Sequence, residues 1–420
     1  MPNPDLVMWD ATLIDCRAPR PVEGMRITVR GGRIEQVDAA EGPPPPDAID
    51  VAGRFVLPGL VDAHIHLADD PKMLEAAALP KPLQGEEPRP RELVYFALAN
   101  AARAFLRAGV TTIRDVGCYD DNALVLREAI RLGLTEGPRI LACGRIISAT
   151  APGGRIFNTM YEEADGPWEM RSCVRKQLRR GADYIKVMAG GARSVDRENP
   201  EPAQLTREEM DALVDEAHRL GLRVAAHAEG LGAVRLAVEA GVDTIEHGLS
   251  LHRAPDLLDK MARNGIVLVP TLSTFHDVGE RFADVFAPRL VEQAKRQREE
   301  ADRTLIAARD AGVTLAMGFD SGPPGRDALE LVRMVEGGLS THEGITAATA
   351  GSALALGLTD AGTIEQGKVA DMVVLDRNPL VDITAFMQPE KIWMVVSAGR
   401  VAVAPPTHSP ARGESIATGV

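Results

Sequence analysis

The sequence predicts an α/β protein built on a (β/α)8 TIM barrel, with a small β-sandwich domain added to it. One observation is a repeated unit in which a glycine ends an amphipathic helix and a β-branched strand follows, as in 105–117, 238–248 and 308–318. Glycine tolerates the left-handed conformation at a helix end, and Val, Ile and Thr favour strands. The other is that eight strand candidates follow one another, most of them apolar on both faces, as in a buried parallel sheet.

The eight predicted strands lie near residues 60–66, 110–116, 138–143, 183–189, 222–228, 242–247, 265–271 and 313–320. A doubly wound sheet is the alternative, and the absence of a Gly-x-Gly-x-x-Gly turn disfavours it. Two inserts, 147–167 and 190–205, follow the third and fourth strands. Barrel enzymes build their sites from loops at these strand ends, so we expect the inserts to border the site.

Short alternating strands precede and follow the predicted barrel. The segments 25–30 and 33–37 flank Gly31-Gly32, which is typical of a two-residue hairpin turn, and 49–57 reads as a third strand. Alternation returns in 362–375 and 392–403. We therefore predict three parts: a composite β domain of 1–56 with 359–405, a barrel of 57–358, and a loose tail of 406–420.

Composition excludes several classes of protein. The 420 residues include 60 acidic and 47 basic side chains, a net charge of −13, which disfavours a nucleic-acid or anionic-membrane partner. The four cysteines form no Cys-x-x-Cys pair, so neither a disulfide framework nor a thiolate zinc site is expected. No apolar run approaches the ~20 residues of a membrane span, and no secretory signal is visible. We expect a cytoplasmic protein.

Side chains that can bind metals stand at the ends of several predicted strands. In Asp62-Ala-His64-Ile-His66, the two histidines point to the same face of a strand, with α-carbons about 6.6 Å apart, and could share one ion. A single histidine in an apolar strand is more often a core residue, but ligand-type side chains end four further strands: Lys186, His227, His247 and Asp320. Together these six residues predict a metal centre.

The ligand types indicate the metal. Imidazoles and a carboxylate without a thiolate suit Zn²⁺, with Mn²⁺, Co²⁺ or Ni²⁺ as alternatives. A protonated lysine cannot bind a cation, so Lys186 must be neutral or converted by CO₂ to a carbamate. The two carbamate oxygens could bridge two ions about 3.5–4 Å apart.

Two segments resemble a known superfamily from one end of the chain to the other. Phe55-Val-Leu-Pro-Gly-Leu-Val-Asp-Ala-His-Ile-His66 resembles the strand-one motif of the amidohydrolase superfamily, and 362–376 resembles its C-terminal signature. The motifs Tyr184–Met188, Ile245–Gly248 and Val269–Leu272 are similar to the imidazolonepropionase-like branch. That branch includes metal-dependent prolidases (Xaa-Pro dipeptidases), Xaa-Arg/Lys carboxypeptidases and ochratoxin-type amide hydrolases.

The chain departs from this pattern at three places. Phe319 precedes Asp320 where the superfamily usually has Gly-Thr-Asp, and Pro152-Gly-Gly-Arg155 lacks the histidine of a Gly-Gly-His-Gly loop. Glu229 stands where many relatives have Tyr or His. These departures leave the metal-binding set intact and bear on how the substrate is polarised and which substrate is used.

The resemblance implies a division of the ligands between two ions. His64, His66 and Asp320 would hold the more buried ion, His227 and His247 the second, and a carboxylated Lys186 would bridge them. A water between the ions would lose a proton and attack an amide or peptide-like carbonyl. Asp320 would act as general base and then as general acid toward the leaving amine.

The candidate substrate contacts lie on loops. Arg155 and Arg193, on the two inserts, could bind a substrate carboxylate through paired hydrogen bonds, and Tyr161, His252 and His276 are further candidates. The leading hypothesis is a binuclear hydrolase of dipeptides, N-acyl amino acids or similar small-molecule amides. One alternative is a mononuclear deaminase or a cyclic-amide, lactone or carbamate hydrolase on the same fold. Another is a non-catalytic binding protein. By analogy with relatives we also expect a homo-oligomer.

Overall fold

The structure is a computed structural model that describes residues 5–67, 90–195, 197–281, 283–284 and 287–405. The strands are β1 (Leu6–Leu13), β2 (Val22–Arg30), β3 (Arg33–Ala39), β4 (Ile49–Asp50), β5 (Phe55–Pro58), β6 (Leu60–Ile65), β7 (Val110–Asp115), β8 (Arg139–Ala142), β9 (Ile146–Ser148), β10 (Tyr161–Glu163), β11 (Ile185–Met188), β12 (Val224–Ala228), β13 (Thr244–His247), β14 (Val267–Val269), β15 (Met372–Leu375), β16 (Ile392–Ser397) and β17 (Arg400–Val403). The α-helices are α1 (Leu93–Arg107), α2 (Asn122–Arg131), α3 (Pro152–Phe157), α4 (Pro167–Arg180), α5 (Arg207–Arg219), α6 (Leu231–Ala240), α7 (Pro255–Asn264), α8 (Leu272–Gly279), α9 (Pro288–Asp310), α10 (Ala328–Glu336), α11 (Thr341–Thr346) and α12 (Ser352–Ala355).

Strands from both ends of the chain pair in one sheet, in the order β17-β16-β15-β5-β1-β2-β3, with β4 beside β1. The predicted hairpin is confirmed, because β2 and β3 pair antiparallel around Gly31-Gly32. The strand predicted over 49–57 is wrong in one respect: Ala52 and Gly53 take positive φ, and the resulting turn separates β4 from β5. These strands share a single sheet, so the two-layered sandwich and the domain boundaries stay predictions. The predicted tail lies outside the described residues.

The central strands run parallel. They form two sheets, β6-β7-β8 and β10-β9-β11-β12-β13-β14, and the paired neighbours in both are parallel. Seven of the eight predicted strands are found, and most are buried on both faces, as strands covered on both sides should be. The first insert contains the short strands β9 and β10 and helix α3, which were not predicted. None of the helices in the described residues is long and apolar enough to cross a membrane.

The predicted eighth strand forms only one bridge, between Leu315 and Leu268 of β14. The Met317 N–H is not paired with a neighbouring strand, because it donates to the Ser352 hydroxyl (3.0 Å) and to the Ala347 carbonyl (3.2 Å). On the other side, the Ala63 N–H of β6 donates to the Met317 carbonyl (2.8 Å). The segment therefore lies between β14 and β6.

We call the sheet of β1–β5 and β15–β17 the end sheet. It is connected directly to β6, the strand that carries the His-x-His motif. Gly59 separates β5 from β6, and its N–H donates to the Asp371 carbonyl (2.9 Å) next to β15. A Cβ atom at Gly59 would lie 2.2 Å from the Thr111 hydroxyl oxygen, so no larger residue fits without a shift. The pairing of β5 with β15 thus sets where β6 begins.

Candidate metal centre

A cavity of about 450 Å³ lies at the ends of the parallel strands. All six predicted metal-binding residues line it: His64, His66, Lys186, His227, His247 and Asp320. His64 lies on β6 and His66 directly follows that strand, whereas His227 and His247 lie at the ends of β12 and β13. Lys186 lies deeper, as the second residue of β11. We call these six residues the metal centre.

The nitrogen and oxygen atoms of the metal centre converge. The Asp320 Oδ1 atom lies 3.4 Å from His64 Nε2 and 3.8 Å from His66 Nε2. Its Oδ2 atom lies 3.9 Å from His247 Nδ1, and His247 Nε2 lies 2.9 Å from His227 Nδ1. Possible ligand atoms of His64, His247 and Asp320 all lie within 4.8 Å of one another, close enough to surround one ion.

Lys186 is buried without a compensating contact. Its side chain is 2% exposed, and Nζ has no hydrogen-bond partner among the described residues. Burial lowers the pKa of the Lys186 ammonium to about 8, because an apolar environment disfavours the charged form. At pH 7 roughly a tenth of the amine is therefore neutral, and the neutral amine is the form that can react with CO₂.

Two of the four imidazoles are buried as neutral donors. Burial, assisted by the Lys186 charge, lowers the pKa of His227 to about 3, and burial also holds the pKa of His247 well below its ordinary value. Burial opposes ionisation of Asp320, but His64 and His66 hold the pKa of its carboxyl below the ordinary range. The neutral imidazoles of His227 and His247 and the ionised carboxylate of Asp320 belong to a donor set that fits a divalent transition-metal ion.

A buried carboxylate behind the metal centre fixes His64. Glu246 is fully buried on β13, and its Oε2 atom lies 2.6 Å from His64 Nδ1. Its Oε1 atom accepts hydrogen bonds from Arg114 Nη2 (2.7 Å) and from the Thr244 hydroxyl. With Nδ1 engaged by a carboxylate, the His64 Nε2 lone pair is left for a metal ion, the arrangement that orients many ligating histidines.

The other three imidazoles are also held on one nitrogen. His66 Nδ1 lies 2.8 Å from the Gly117 carbonyl oxygen, and His247 Nδ1 lies 2.7 Å from the Thr271 hydroxyl. His227 Nε2 lies 3.2 Å from the Gly191 carbonyl oxygen. In His227 and His247 the nitrogens opposite these contacts are the two that lie 2.9 Å apart.

Comparison with known proteins identifies the family of this chain. The amidohydrolase family matches residues 55–402. This chain belongs to the amidohydrolase family. Ochratoxinase from Aspergillus niger is 32% identical over 83% of this chain and 76% of its own length. Imidazolonepropionase from Symbiobacterium thermophilum is 26% identical over 94% of this chain and 92% of its own.

A solved structure of a related protein also has a similar fold. A Xaa-Pro dipeptidase with methionine bound in its active site superimposes with a TM-score of 0.83, at 30% identity, over 95% of this chain and 99% of that one. These relatives place the amidohydrolase in the prolidase and ochratoxinase branch that its motifs resemble. They imply a TIM-barrel-like α/β fold, a hydrolase of amide bonds and a small-molecule substrate.

The rest of the amidohydrolase cavity is mostly apolar. We use the term cavity wall for Ile146, Phe157, Met160, Tyr161, Met188, Arg193 and Leu290. The Tyr161 ring stacks on the Phe157 ring with centroids 5.1 Å apart. Burial raises the pKa of Tyr161, so its phenol stays protonated and remains a hydrogen-bond donor.

The structure brings two of the five predicted substrate contacts to the cavity and leaves three away from it. Tyr161 and Arg193 belong to the cavity wall. Arg155 is exposed on α3. The Nδ1 atom of His252 lies 3.0 Å from the Thr304 hydroxyl oxygen. His276 is buried on α8, and none of these three is among the described residues that line the cavity.

One carboxylate ties the two inserts together. Glu198, on the second insert, accepts hydrogen bonds from the backbone N–H of Gly153 (2.7 Å) and of Ala192 (2.7 Å). Gly153 is the second residue of α3 on the first insert, and a Cβ atom there would lie 2.8 Å from Glu198 Oε1. The Pro152-Gly-Gly-Arg155 motif therefore allows the two inserts to meet beside the cavity wall.

Proposed function

We propose that this protein is a binuclear metal-dependent hydrolase that cleaves an amide or peptide-like C–N bond. The observation that carries the proposal is Lys186, a fully buried amine without a hydrogen-bond partner among the described residues, in a cavity lined by four imidazoles and a carboxylate. A carbamate on Lys186 would supply the anionic ligand that this position lacks. Zn²⁺ is the metal we expect, with Mn²⁺, Co²⁺ or Ni²⁺ as alternatives.

Each residue of the metal centre has a proposed place. His64, His66 and Asp320 would hold one ion, His227 and His247 the other, and carboxylated Lys186 would bridge them. When bound, the two ions would lower the pKa of a water and polarise the substrate carbonyl. The partners of the imidazoles, Glu246 above all, would keep the donor nitrogens directed at the cavity.

Asp320 would move the proton. Its ionised carboxylate faces the cavity and is 14% exposed, so it can reach a water and a substrate there. It would accept the proton of the attacking water as the C–O bond forms, and deliver it to the amine nitrogen as the C–N bond breaks. The apolar cavity wall favours an amide that carries a bulky apolar group. The relatives named ochratoxinase and Xaa-Pro dipeptidase are consistent with that class.

We propose that the segment 314–320 closes the parallel strands into an eight-stranded barrel, because it hydrogen-bonds to β14 on one side and to β6 on the other. We also propose that the end sheet, built from 1–56 and 359–405, is a separate domain beside a barrel of 57–358. Its apolar cluster of Met8, Ile27, Met372 and Met394 supports that division.

A mononuclear enzyme, a deaminase or a cyclic-amide hydrolase, is the second candidate. It is favoured by the close grouping of His64, His247 and Asp320, which could hold a single ion without Lys186. The match to an imidazolonepropionase over most of both chains is consistent with it.

Metal analysis distinguishes the two. Protein purified without chelators and with bicarbonate should contain about two ions per chain and hydrolyse members of a panel of dipeptides and N-acyl amino acids. Lys186→Ala should lower the metal content and abolish hydrolysis, whereas Lys176→Ala, at a half-exposed lysine on α4, should change neither. One ion per chain, unchanged by Lys186→Ala, would favour the mononuclear enzyme. A chain that binds no ion even after reconstitution would contradict both.

A further inference from the structure

The cavity wall carries a cation beside the metal centre. Arg193 follows β11 on the second insert, and its side chain is only 11% exposed. Its guanidinium carbon lies 4.1 Å from the centroid of the Phe275 ring, and Nη2 donates to the Thr274 hydroxyl (2.9 Å). Two residues of α8 therefore cover one face and one corner of the guanidinium group.

Glu229 holds the other side of this guanidinium. It follows β12, is 2% exposed, and its Oε1 atom lies 3.0 Å from Arg193 Nη1. The same Oε1 atom lies 3.5 Å from His227 Nε2. Arg193 is thus fixed by two residues of α8 and by Glu229 after β12, and one carboxylate separates it from an imidazole of the metal centre.

The guanidinium group keeps unused hydrogen-bond donors. It has five N–H bonds, one of which goes to Thr274. Nη1 forms an ion pair with Glu229 Oε1 (3.0 Å) and is enclosed from solvent. The donors left for a ligand are therefore the Nε–H and the second N–H of Nη2. A buried, rigidly held guanidinium with free donors suits paired hydrogen bonds to a carboxylate.

A second charged side chain of the cavity, Asp277, is engaged by residues other than Arg193. Asp277 also lines the cavity, but its Oδ2 atom accepts a hydrogen bond from the Ser321 hydroxyl (2.5 Å) and lies 3.5 Å from Arg281 Nη1. Apolar members of the wall, such as Phe157 and Leu290, line the same space. A ligand that combines a carboxylate with a bulky apolar group fits this arrangement.

We propose that Arg193 binds a carboxylate of the substrate and that Glu229 is its positioning residue. The substrate class would then be amides that carry an acidic group near the scissile bond together with a bulky apolar side chain, as N-acyl derivatives of apolar amino acids do. This inference rests on the proposed function for the reaction, but the binding site can be tested separately.

A matched pair of ligands tests the binding site without turnover. Asp320→Asn enzyme, loaded with Zn²⁺ in bicarbonate, is titrated by calorimetry with N-acetyl-L-phenylalanine and with N-acetyl-L-phenylalaninamide, which differ only in the carboxylate. We expect the acid to bind at least about tenfold more tightly than the amide. Arg193→Met in the same background should bring the ratio close to one. Arg155→Met, at an exposed arginine of the other insert, should leave it unchanged.

Two further variants guard against a folding defect. Arg193→Met leaves Glu229 buried beside a neutral residue, so the double change Arg193→Met with Glu229→Gln removes both charges together and should also abolish the preference. Arg193→Lys keeps the positive charge but lacks the planar guanidinium group. It should therefore retain part of the preference for the acid over the amide. Zn²⁺ content and melting temperature are measured for each. A preference that persists in both methionine variants, or a parent enzyme that binds neither ligand, would overturn the proposal.

Hydrolysis separates this proposal from the proposed function. In the enzyme with Asp320 intact, Arg193→Met should raise KM for acid substrates at least about tenfold, with a small change for their amidated counterparts. If acids bind through Arg193 but no amide is hydrolysed, the proposed reaction fails and the binding site stands. If amides are hydrolysed and the ratio of acid to amide KM is unchanged in Arg193→Met, the carboxylate site alone fails.

Discussion

The metal centre and the cavity wall hold their polar side chains in different ways. In the metal centre, four of the six residues lie on strands, and each imidazole has a partner that engages one nitrogen. In the cavity wall, Arg193 lies on an insert and is held by side chains from α8 and from the loop after β12. Strand pairing fixes positions through backbone hydrogen bonds, whereas a loop residue depends on a few side-chain contacts.

This difference separates two kinds of effect. Changes behind the metal centre should act on metal affinity, because they release a ligand that the strands otherwise hold in place. Changes in the cavity wall should act on substrate affinity and leave the metal content intact. Four substitutions test that separation.

Asp320→Asn should have the largest effect, because an amide can neither accept nor deliver the proton. We expect kcat to fall by about 10²–10⁴-fold, the usual contribution of a general acid–base residue. Metal content should stay near that of the unchanged protein, since the amide oxygen remains a ligand. Elemental analysis beside steady-state kinetics checks this, and a fully active Asp320→Asn enzyme would remove Asp320 from the mechanism.

Glu246→Gln should weaken metal binding from behind the centre. The amide cannot provide the two negatively charged oxygens that Glu246 offers to His64 and to Arg114. Loss of such a partner typically lowers metal affinity by about 10–100-fold. Competition with a chromophoric chelator measures it, and the spectrum of the Co²⁺-substituted protein should also change. Glu208→Gln, at an exposed position of α5, is the matched control. An unchanged affinity would assign Glu246 to folding alone.

Glu198→Gln should loosen the two inserts without touching the metal centre. One of its two backbone contacts, to Gly153 or to Ala192, must then face an amide N–H₂ group instead of an oxygen. A lost charged hydrogen bond of about 1.5–3 kcal/mol would make local opening, and hence tryptic cleavage of the inserts, at least about tenfold faster.

Metal content should be the same in Glu198→Gln as in the unchanged protein. Glu201→Gln, an exposed residue of the same insert, should behave like the unchanged protein in both measurements. Cleavage at the ordinary rate would show that Glu198 does not hold the inserts together.

Phe157→Leu should have the smallest effect, confined to the cavity wall. It removes the ring that stacks on Tyr161, an aromatic contact of about 0.5–1.5 kcal/mol. We expect KM for substrates with bulky apolar groups to rise by about two- to tenfold, with little change in kcat. Ile156→Ala, at the neighbouring exposed residue, should leave KM unchanged. A fall in kcat without a change in KM would place Phe157 in the chemical step.

The sequence located the residues that reach the cavity from strand ends better than those that reach it from loops, for a physical reason. Period-two alternation places His64 and His66 on one face, and parallel strands bring their ends to one edge, so six distant residues could be assigned together. Glu246 and Arg114 were missed, although a charged side chain inside a buried strand indicates a partner. Arg155 and His252 were misplaced because nothing in a loop sequence determines which way its side chains point.

The eighth strand shows a different limit of the sequence. Its composition favours a strand, yet the Met317 N–H donates to the Ser352 hydroxyl and the Ala347 carbonyl, which lie thirty or more residues further along the chain. Local propensity cannot anticipate such a distant competitor. The hairpin at Gly31-Gly32 was predictable because both strands and the turn lie within one short segment.

The pairing of β5 with β15 has a consequence for the order of folding. Residue Val56 faces Val374 across that pair, so the two strands are separated by most of the chain. Contacts of such long range close late, because the intervening segment must first be brought to order. During synthesis, the strand with His64 and His66 would leave the ribosome long before the strand that anchors its start. Assembly of the centre is therefore expected to be one of the last events in the maturation of the nascent chain.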